Sequence, residues 1–352
     1  MKFSTEPRRI LVVLPTWVGD VVMATPFLQA IYSRFQEAEI SVLMYRHLHE
    51  VVAGSPWLGT AYYWPDKNVS GNEHRNWIKS LRTQEFDLAI LLPNSLRVAW
   101  IAWRIRAKRR VGFARDARSW LLTDPLPVPN RRKNKFEPLP LVDYYDHFAR
   151  QLGCSPPGDR LTLHTTIDQD NTTQARLSAE GVSTNGPIVT ICPGAKFGAS
   201  KCWHPERFAG VADELVRQHN ATIVISPGPG EEPLAQAIAD NMAEASVILA
   251  EPCLNLGELK SLVNQSALLL GNDTGPRHYA RAFDTPRVTI FGPTEQRWTD
   301  TSHDKETIVK VEVPCGPCQK KLCPLQERIC MDRITVEAVY AASAVYVKDY
   351  KK

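Results

Sequence analysis

Short apolar runs bounded by turn residues recur along the chain. They are rich in Val, Ile and Leu, and they occupy residues 10–14, 40–45, 88–92, 188–192, 222–226, 246–250, 267–270 and 288–291. These runs do not alternate between apolar and polar positions, a pattern typical of strands buried on both faces of a parallel sheet. They therefore predict buried parallel strands.

Amphipathic stretches of helical length separate these runs, for example at residues 26–35, 205–218 and 256–264. Alternating strand and helix signals are typical of folds in which crossover helices cover a parallel sheet. The pattern thus predicts a doubly wound α/β fold. Ligands of such sheets bind beyond the carboxyl ends of the strands, so the loops that follow the strands are where chemistry is expected.

The predicted strands fall into two groups on either side of residues 130–187, a region with proline-rich and polar pieces. At about 150 residues per domain, a chain of this length is expected to form two domains. We predict two Rossmann-like domains that face each other across a cleft, residues 1–168 and residues 169–352. The last helix is expected to be able to pack back on the first domain.

Composition excludes several classes of protein. The 352 residues include 42 Lys and Arg against 38 Asp and Glu, a net charge of +4, and 43% of them are hydrophobic. These values exclude disordered and fibrous chains, and the charge is too small to indicate a nucleic-acid partner. No run approaches the roughly 18 apolar residues of a membrane-spanning helix. The 8 cysteines are too few for a disulfide scaffold, which favours a reducing compartment.

The loop after the first run has one candidate catalytic group. Only Gly19 stands where a dinucleotide-binding fold has its G-x-G-x-x-G, which disfavours a nicotinamide or flavin enzyme. Asp20 lies at the start of the next helix, where it could act as a general base or cap the helix. The spacing alone favours the cap, because Asp is common at helix starts.

The loop after residues 188–192 has features suited to a phosphate. Gly194 and Gly198 permit close approach of the backbone, and Lys196 and Lys201 supply positive charge. A solvated loop with incidental lysines is the simpler interpretation. The P-loop pattern G-x-x-x-x-G-K-[ST] is not matched, so the loop does not indicate an ATPase.

Polar residues also follow two other predicted strands in the second half of the chain. Thr274 and Gly275 begin a helix whose N-terminus could bind a pyrophosphate, and His278 lies one turn further on. A capped structural helix with a core histidine explains the same residues. Glu231 and Glu232 could accept hydrogen bonds from ribose hydroxyls or simply begin a solvated helix.

The only clustered cysteines form a C-x2-C-x4-C-x6-C pattern at Cys315, Cys318, Cys323 and Cys330. The first pair has the spacing of metal ligands, but the later gaps fit no standard zinc finger. Both a structural metal site and free thiols remain open, and free thiols are the simpler interpretation.

A basic stretch lies in the first half of the chain. It contains Arg104, Arg106, Lys108, Arg109, Arg110, Arg115 and Arg118. Trp100, Trp103 and Trp120 are interleaved, which would suit a phosphorylated glycolipid or an anionic membrane surface. A solvated face is the common explanation of such charge. No RNA-binding motif accompanies it.

Taken together, several motifs resemble those of the ADP-heptose:lipopolysaccharide heptosyltransferases, glycosyltransferase family 9. The chain is more similar to the members that add the second heptose than to those that add the first. The shared motifs are Thr16-Trp17-Val18-Gly19-Asp20, Leu91-Leu92-Pro93-Asn94-Ser95, Pro193-Gly194-Ala195, Lys201-x-Trp203, Asn272-Asp273-Thr274-Gly275-x-x-His278, Phe291-Gly292-Pro293-Thr294 and Cys315-Gly316-Pro317-Cys318. Pro276 and Arg277 depart from many members, which is expected to alter sugar contacts.

The resemblance implies a glycosyltransferase B-type fold, with the acceptor on the first domain and the nucleotide sugar on the second. It implies inverting transfer, with Asp20 as the general base and Lys201 stabilising the leaving diphosphate. The donor-binding residues that it implies are Gly194, Ala195, Lys196, Lys201, Glu231, Glu232, Leu254, Asp273, Thr274, Gly275 and His278. The acceptor-binding residues are expected to include Thr16, Trp17, Asn94, Ser95 and Arg97.

The implied reaction moves heptose from ADP-L-glycero-D-manno-heptose to the first heptose of a phosphorylated Kdo–lipid A inner core. It requires no cofactor or metal, and it implies a cytoplasmic enzyme peripheral at the inner face of the inner membrane. A heptosyltransferase I, another nucleotide-sugar transferase of this fold and a non-catalytic binder of sugar nucleotides or glycolipids are the alternatives.

Overall fold

The computed structural model describes residues 3, 5–66, 68–132, 135–182, 186–325 and 327–348. The chain divides into two compact units, Met1–His164 and Thr165–Lys352. Each unit has its own parallel sheet flanked by helices. Within the described ranges, no helix is both long enough and apolar enough to cross a membrane.

The sheet of the first unit has the strand order β3-β2-β1-β4-β5-β6, and all of its neighbouring strands are parallel. Its strands are β1 (Arg9–Val13), β2 (Glu39–Met44), β3 (Ala61–Tyr63), β4 (Leu88–Leu91), β5 (Arg109–Phe113) and β6 (Asp124–Leu126). A small antiparallel pair joins β7 (Arg131–Arg132) to β8 (Lys135–Phe136). The central strand β4 is buried along its whole length, as its uninterrupted apolar run predicts.

The helices of the first unit connect these parallel strands. They are α1 (Val18–Met23), α2 (Thr25–Arg34), α3 (His49–Val52), α4 (Gly71–Arg82), α5 (Leu96–Arg104) and α6 (Leu141–Gln151). Local sequence explains where two of them begin. Ser70 and Glu73 form a capping box at the start of α4, and Ser95 accepts a hydrogen bond from Val98 N–H at the start of α5.

The sheet of the second unit repeats this arrangement with the order β11-β10-β9-β12-β13-β14, again parallel throughout. Its strands are β9 (Ile188–Cys192), β10 (Thr222–Ile225), β11 (Ser246–Ile248), β12 (Leu268–Asn272), β13 (Arg287–Phe291) and β14 (Glu306–Lys310). Strands β9, β12 and β13 are buried at every position. The edge strands β11 and β14 are only partly buried, because each has one neighbour.

The helices of the second unit cover both faces of its sheet. They are α7 (Ile167–Ala179), α8 (Pro205–His219), α9 (Glu232–Asn241), α10 (Leu256–Gln265), α11 (Pro276–Phe283), α12 (Ile329–Asp332) and α13 (Val336–Val347). The final helix α13 packs on α8 and on the sheet of its own unit, and it buries Val339 and Val347 in the core there. The predicted boundary after residue 168 falls inside α7.

Both sheets reverse their strand order beside the first strand, between β1 and β4 and between β9 and β12. This order is the Rossmann order, and the point of reversal is where such sheets bind ligands. The loops after these four strands, together with the first turns of the helices that follow them, are therefore the places where functional side chains are expected. They contain Asp20, Asn94, Lys201 and Asp273.

Candidate active site

Asp20 lies in the first turn of the short helix α1, directly after β1. The residue that caps this helix is Trp17, which makes no side-chain capping hydrogen bond. Among the described residues no hydrogen bond or ion pair to the Asp20 carboxylate is found. The alternative that Asp20 caps the helix thus has no hydrogen bond to support it.

The surroundings of Asp20 disfavour its charged form. Burial raises the pKa of this carboxyl from 3.8 to about 6. Nearby Tyr145 is fully buried, and burial together with the charge of Asp20 raises its own pKa well above the ordinary value. A carboxylate that is only partly buried, has no partner and titrates near neutrality has the properties of a general base.

The predicted acceptor residues differ in what their side chains do. Thr16 and Trp17 are exposed, in the loop directly before the helix that contains Asp20. Asn94 is held by Arg118 and by the Tyr144 hydroxyl, each at 3.1 Å. Ser95 caps α5 and Arg97 is exposed over the ring of Trp64, 5.0 Å from its centroid. Asn94 and Ser95 therefore make local structural hydrogen bonds, whereas Thr16, Trp17 and Arg97 face solvent.

The basic stretch is not one solvated face. Arg118 is fully buried and donates hydrogen bonds to the carbonyl oxygens of Phe113 and Pro93. Arg109 forms an ion pair with Asp124 at 2.5 Å. It belongs to strand β5, which the apolar pattern did not predict because the strand begins with two arginines. The interpretation of the stretch as a solvated face is therefore wrong at Arg118. Its guanidinium is needed inside the unit to satisfy backbone oxygens.

In the second unit, the loops after β9 and β12 meet through Lys201 and Asp273. The ammonium of Lys201 is 2.5 Å from the Asp273 carboxylate and 2.8 Å from its carbonyl oxygen. Thr294, which follows β13, donates to the same carboxylate at 2.8 Å. Burial acts to raise the pKa of Asp273, but the charges of Lys201 and Arg277 hold it below its ordinary value. Lys201 is thus positioned by a charged partner at the carboxyl edge of the sheet.

Arg277 begins a buried charge network behind this pair. It lies 2.6 Å from Glu306 and 3.3 Å from Asp273, and it is almost completely buried. Glu306 also binds Arg287, whose side chain is fully buried. The guanidinium of Arg277 is directed to these carboxylates, and an effect of Arg277 on sugar contacts stays a prediction.

The helix α11 starts at Gly275 with no side-chain cap. Thr274 and Gly275 are partly exposed, so the uncapped end is open to an anion. His278 is buried, and no described group bonds its Nδ1 atom. Burial and the charges of Arg277 and Arg287 hold its pKa well below the ordinary value, so the imidazole is neutral.

Glu231 covers the backbone of Gly194. A Cβ at this glycine would lie 1.8 Å from the Glu231 carboxylate, so a side chain here would collide with it. The same carboxylate accepts a hydrogen bond from Gly228 N–H at 2.9 Å. The two loops after β9 and β10 therefore touch at these residues, which the sequence pattern alone had not connected.

The other predicted donor residues have more open positions. Glu232 is partly exposed, and it accepts a weak hydrogen bond from the Cys253 thiol at 3.4 Å. Leu254 is buried in the loop after β11, where its side chain is an apolar surface. Lys196 is exposed and Ala195 is partly exposed in the loop after β9.

The cysteine segment lies against the loop that carries Lys201. Arg328 donates to the carbonyl oxygens of Ala199 and Cys202 at 2.9 and 2.8 Å, and Ser200 Oγ donates to Lys320 O at 2.6 Å. Cys315, Cys318, Cys323 and Cys330 are free thiols. No group of three or more metal-ligating side chains is arranged around a metal position in the described parts of the chain. Sequence reasoning missed the role of Arg328 because nothing local marks it.

Comparisons with known proteins identify the family of the chain. The profile of glycosyltransferase family 9 (heptosyltransferase) matches residues 74–329. Lipooligosaccharide heptosyltransferase 2 of Haemophilus influenzae is 29% identical over 314 residues, which cover 86% of this chain and 88% of that protein. Lipopolysaccharide heptosyltransferase 2 of Escherichia coli is 24% identical over 314 residues, which cover 86% of this chain and 88% of that protein.

A solved structure shows the same fold. The ADP-heptose lps heptosyltransferase II of E. coli aligns with a TM-score of 0.76 at 22% identity, over 95% of this chain and 97% of that one. The prediction of two doubly wound α/β domains of the glycosyltransferase B type is confirmed, as is the prediction of a glycosyltransferase. The chain belongs to glycosyltransferase family 9, the heptosyltransferase family.

Proposed function

We propose that this heptosyltransferase moves heptose from ADP-L-glycero-D-manno-heptose to the first heptose of the lipopolysaccharide inner core, with inversion at the anomeric carbon. The observation that carries the proposal is the Asp20 carboxylate, which has no partner among the described residues and a pKa raised to about 6 by burial. In this reaction Asp20 removes the proton of the acceptor hydroxyl. The resulting oxygen attacks the anomeric carbon while the bond to the diphosphate breaks, so ADP leaves with the electron pair.

The donor groups belong to residues 169–352 in this proposal, and the acceptor groups to residues 1–168. Lys201 and the uncapped start of α11 at Gly275 would stabilise the charge that develops on the departing diphosphate. Asp273 supports this role because it holds the Lys201 ammonium in place. The neutral His278 and the backbone of Gly194 would contact the phosphates and sugar, Glu231 or Glu232 the ribose, and Leu254 the adenine.

We also propose that the protein works in the cytoplasm, peripheral at the inner face of the inner membrane. Trp17 and Trp120 are 55% and 75% exposed in the first unit, and basic residues of the same unit such as Arg104 are exposed as well. Exposed Trp side chains favour the headgroup region of a bilayer, and basic residues are attracted to anionic lipid. This placement would bring the acceptor, a phosphorylated lipid A with its core, within reach of the first unit.

The relatives favour the second heptose as the product. Relatives named heptosyltransferase 2 match over most of this chain, while a heptosyltransferase 3 of E. coli is 26% identical over 79% of it. A heptosyltransferase I, another nucleotide-sugar transferase and a non-catalytic binder stay the alternatives. They differ in the acceptor that they modify, or in modifying none.

A transfer assay separates these possibilities. The purified protein is incubated with ADP-heptose and either a Kdo-ended lipid A or the same acceptor with one heptose. The masses of the products are measured by mass spectrometry. We expect a heptose on the second acceptor only, and none with Asp20→Ala. Addition to the Kdo-ended acceptor would indicate a heptosyltransferase I. Binding of ADP-heptose without transfer to either acceptor would indicate another acceptor or a non-catalytic binder.

A further inference from the structure

Two exposed leucines lie close together in the second unit, in the loop between β14 and α12. Leu322 is 73% exposed and Leu325 is 48% exposed. Among the described residues of this unit, the other exposed large hydrophobic side chains are Ile167 and Val345, each on a helix elsewhere. Two of the four are thus concentrated in one loop. Single exposed apolar residues are ordinary, whereas concentrated ones mark contact surfaces.

Positive charge without ionic partners adjoins these leucines. Lys320 and Lys321 directly precede Leu322, and both are exposed. Neither ammonium group forms an ion pair within the described ranges of the chain. Residues 313–325 contain these two lysines and no Asp or Glu, so their net charge is +2. Glu312, just before this segment, is paired with Lys310 at 2.8 Å. The lysine charges are therefore available to an anionic partner.

The backbone of this loop is bonded to the loop that contains Lys201. Ser200 N–H donates to the Lys321 carbonyl oxygen at 3.2 Å, and Ser200 Oγ donates to the Lys320 carbonyl oxygen at 2.6 Å. A Cβ at Gly198 would lie only 2.4 Å from the Lys321 carbonyl oxygen, so the two loops are in direct backbone contact. The lysine and leucine side chains are therefore attached to a backbone that is held in place.

This combination fits the surface of an anionic bilayer. Leucine side chains enter the boundary between headgroups and acyl chains, while long lysine stems let the ammonium groups stay beside anionic headgroups. A flexible loop would lose conformational entropy on binding. The hydrogen bonds of Ser200 reduce that cost here, because they order the loop before any contact is made.

We propose that the loop of residues 319–325 is a contact surface for an anionic lipid bilayer. Leu322 and Leu325 enter the interface, and Lys320 and Lys321 bind the headgroup phosphates. The inference rests on the proposed function, which places the enzyme at a membrane, and it adds a contact that belongs to the second unit. Because the loop is bonded to residues 198–202, the contact would hold Lys201 close to the bilayer that contains the acceptor.

Vesicle flotation of the full chain tests this contact. One set of vesicles contains phosphatidylethanolamine and anionic phosphatidylglycerol, and the other contains neutral phosphatidylcholine. We expect the double variant Leu322→Ser/Leu325→Ser to lower the partition coefficient on anionic vesicles about tenfold. The double variant Lys320→Gln/Lys321→Gln should also lower it about tenfold on anionic vesicles, but should leave partition on neutral vesicles unchanged.

Two control variants change similar side chains outside the loop. Ile167→Ser removes an exposed apolar side chain from the start of α7, and Lys348→Gln removes an exposed charge after α13. Both are expected to bind vesicles as wild type does. All the substituted side chains are exposed, so the melting temperatures should not change. A loss of binding in which the controls share would overturn the proposal, because the effect would not be specific to the loop.

Other results would also overturn the assignment of this surface. These are a wild type that does not bind anionic vesicles, and vesicle binding that is unchanged in both double variants. Analytical ultracentrifugation tests a second copy of the chain as the occupant. A wild-type dimer that is lost in the leucine variant, with vesicle binding unchanged, would show that the leucines contact another protomer.

Transfer assays with two forms of the acceptor keep this inference separate from the proposed function. With a deacylated, soluble acceptor the leucine variant should match wild type, and with the lipid acceptor in anionic vesicles its kcat/KM should fall about tenfold. If wild type binds vesicles through the loop but transfers to neither acceptor, the surface assignment stands and the transferase proposal fails. If wild type transfers heptose and the loop variants bind vesicles equally well, the transferase proposal stands and the surface assignment fails. Equal vesicle binding without transfer overturns both.

Discussion

Replacing Asp20 by Asn tests the carboxylate in two ways, because the same burial that suits it for catalysis destabilises the fold. Burial raises the pKa of Asp20 from 3.8 to about 6. At 1.36 kcal/mol per pKa unit, this difference corresponds to about 3 kcal/mol. No hydrogen bond or ion pair from the described residues offsets that cost. The folded protein is therefore less stable by up to this amount whenever Asp20 is ionised.

The sign of the pH dependence follows from the direction of this shift. Because the folded state binds the proton more tightly than the unfolded state, this group makes stability fall as the pH rises from about 4 to about 6. Asn carries no charge at any pH. We therefore expect Asp20→Asn to be more stable than wild type by about 3 kcal/mol near pH 8, and the gain to vanish below about pH 4.

Urea denaturation across this pH range, followed by tryptophan fluorescence, measures the difference in the free energy of unfolding. Glu37→Gln is the matched control, since Glu37 is an exposed carboxylate of the same unit. The transfer activity of Asp20→Asn is expected to fall about 10³-fold, with ADP-heptose binding retained. The kcat/KM of wild type should fall about tenfold for each pH unit below about 6.

One combination of results would refute this reasoning. If Asp20→Asn keeps its activity and is less stable than wild type near about pH 8, Asp20 stabilises the helix and is no base. A stability difference that does not depend on pH would show that the burial of this carboxylate does not perturb its pKa.

Four further predictions concern other parts of the molecule. Lys201→Met should lower kcat about 100-fold in a coupled ADP-release assay, because the charge facing the diphosphate is lost. Arg328→Ala should lower kcat about tenfold with little change in the melting temperature, because Arg328 donates hydrogen bonds to two carbonyl oxygens of the loop that contains Lys201. An unchanged kcat would contradict this prediction. Glu306→Gln should lower the free energy of unfolding by about 3–5 kcal/mol in urea denaturation, because the buried Arg287 loses its carboxylate partner and the buried Arg277 keeps only Asp273. The Arg277 and Arg287 charges outweigh burial and lower the pKa of Glu306, so its stabilising contribution should be lost as the pH falls below the ordinary range of a glutamate. Trp120→Ser should reduce sedimentation with anionic vesicles and leave transfer to a soluble acceptor unchanged, and equal sedimentation would argue against a role in membrane contact.

The sequence by itself determined the fold class and the loops that matter. Uninterrupted apolar runs separated by helical stretches have one common solution, a parallel sheet covered on both faces, and its ligand edge follows from strand direction alone. Asp20, Lys201 and Asp273 are candidate site residues for this reason, because each follows a predicted strand. Strands β3, β5, β6 and β14 escaped the pattern because they are short, charged or only half-buried. Short edge strands carry too little apolar sequence to be recognised.

Only the tertiary structure decided which polar side chains are partners and which are free. Arg104 and Arg118 belong to the same basic stretch, yet the first lines a cavity and the second is buried among backbone oxygens. Lys201 meets Asp273 across 72 positions of the chain, because β9 and β12 are neighbours in the sheet. The raised pKa of Asp20 likewise comes from what packs around it. Periodicity along the chain records which face of an element is buried, but charge pairing and burial of single groups depend on contacts between residues that are distant in sequence.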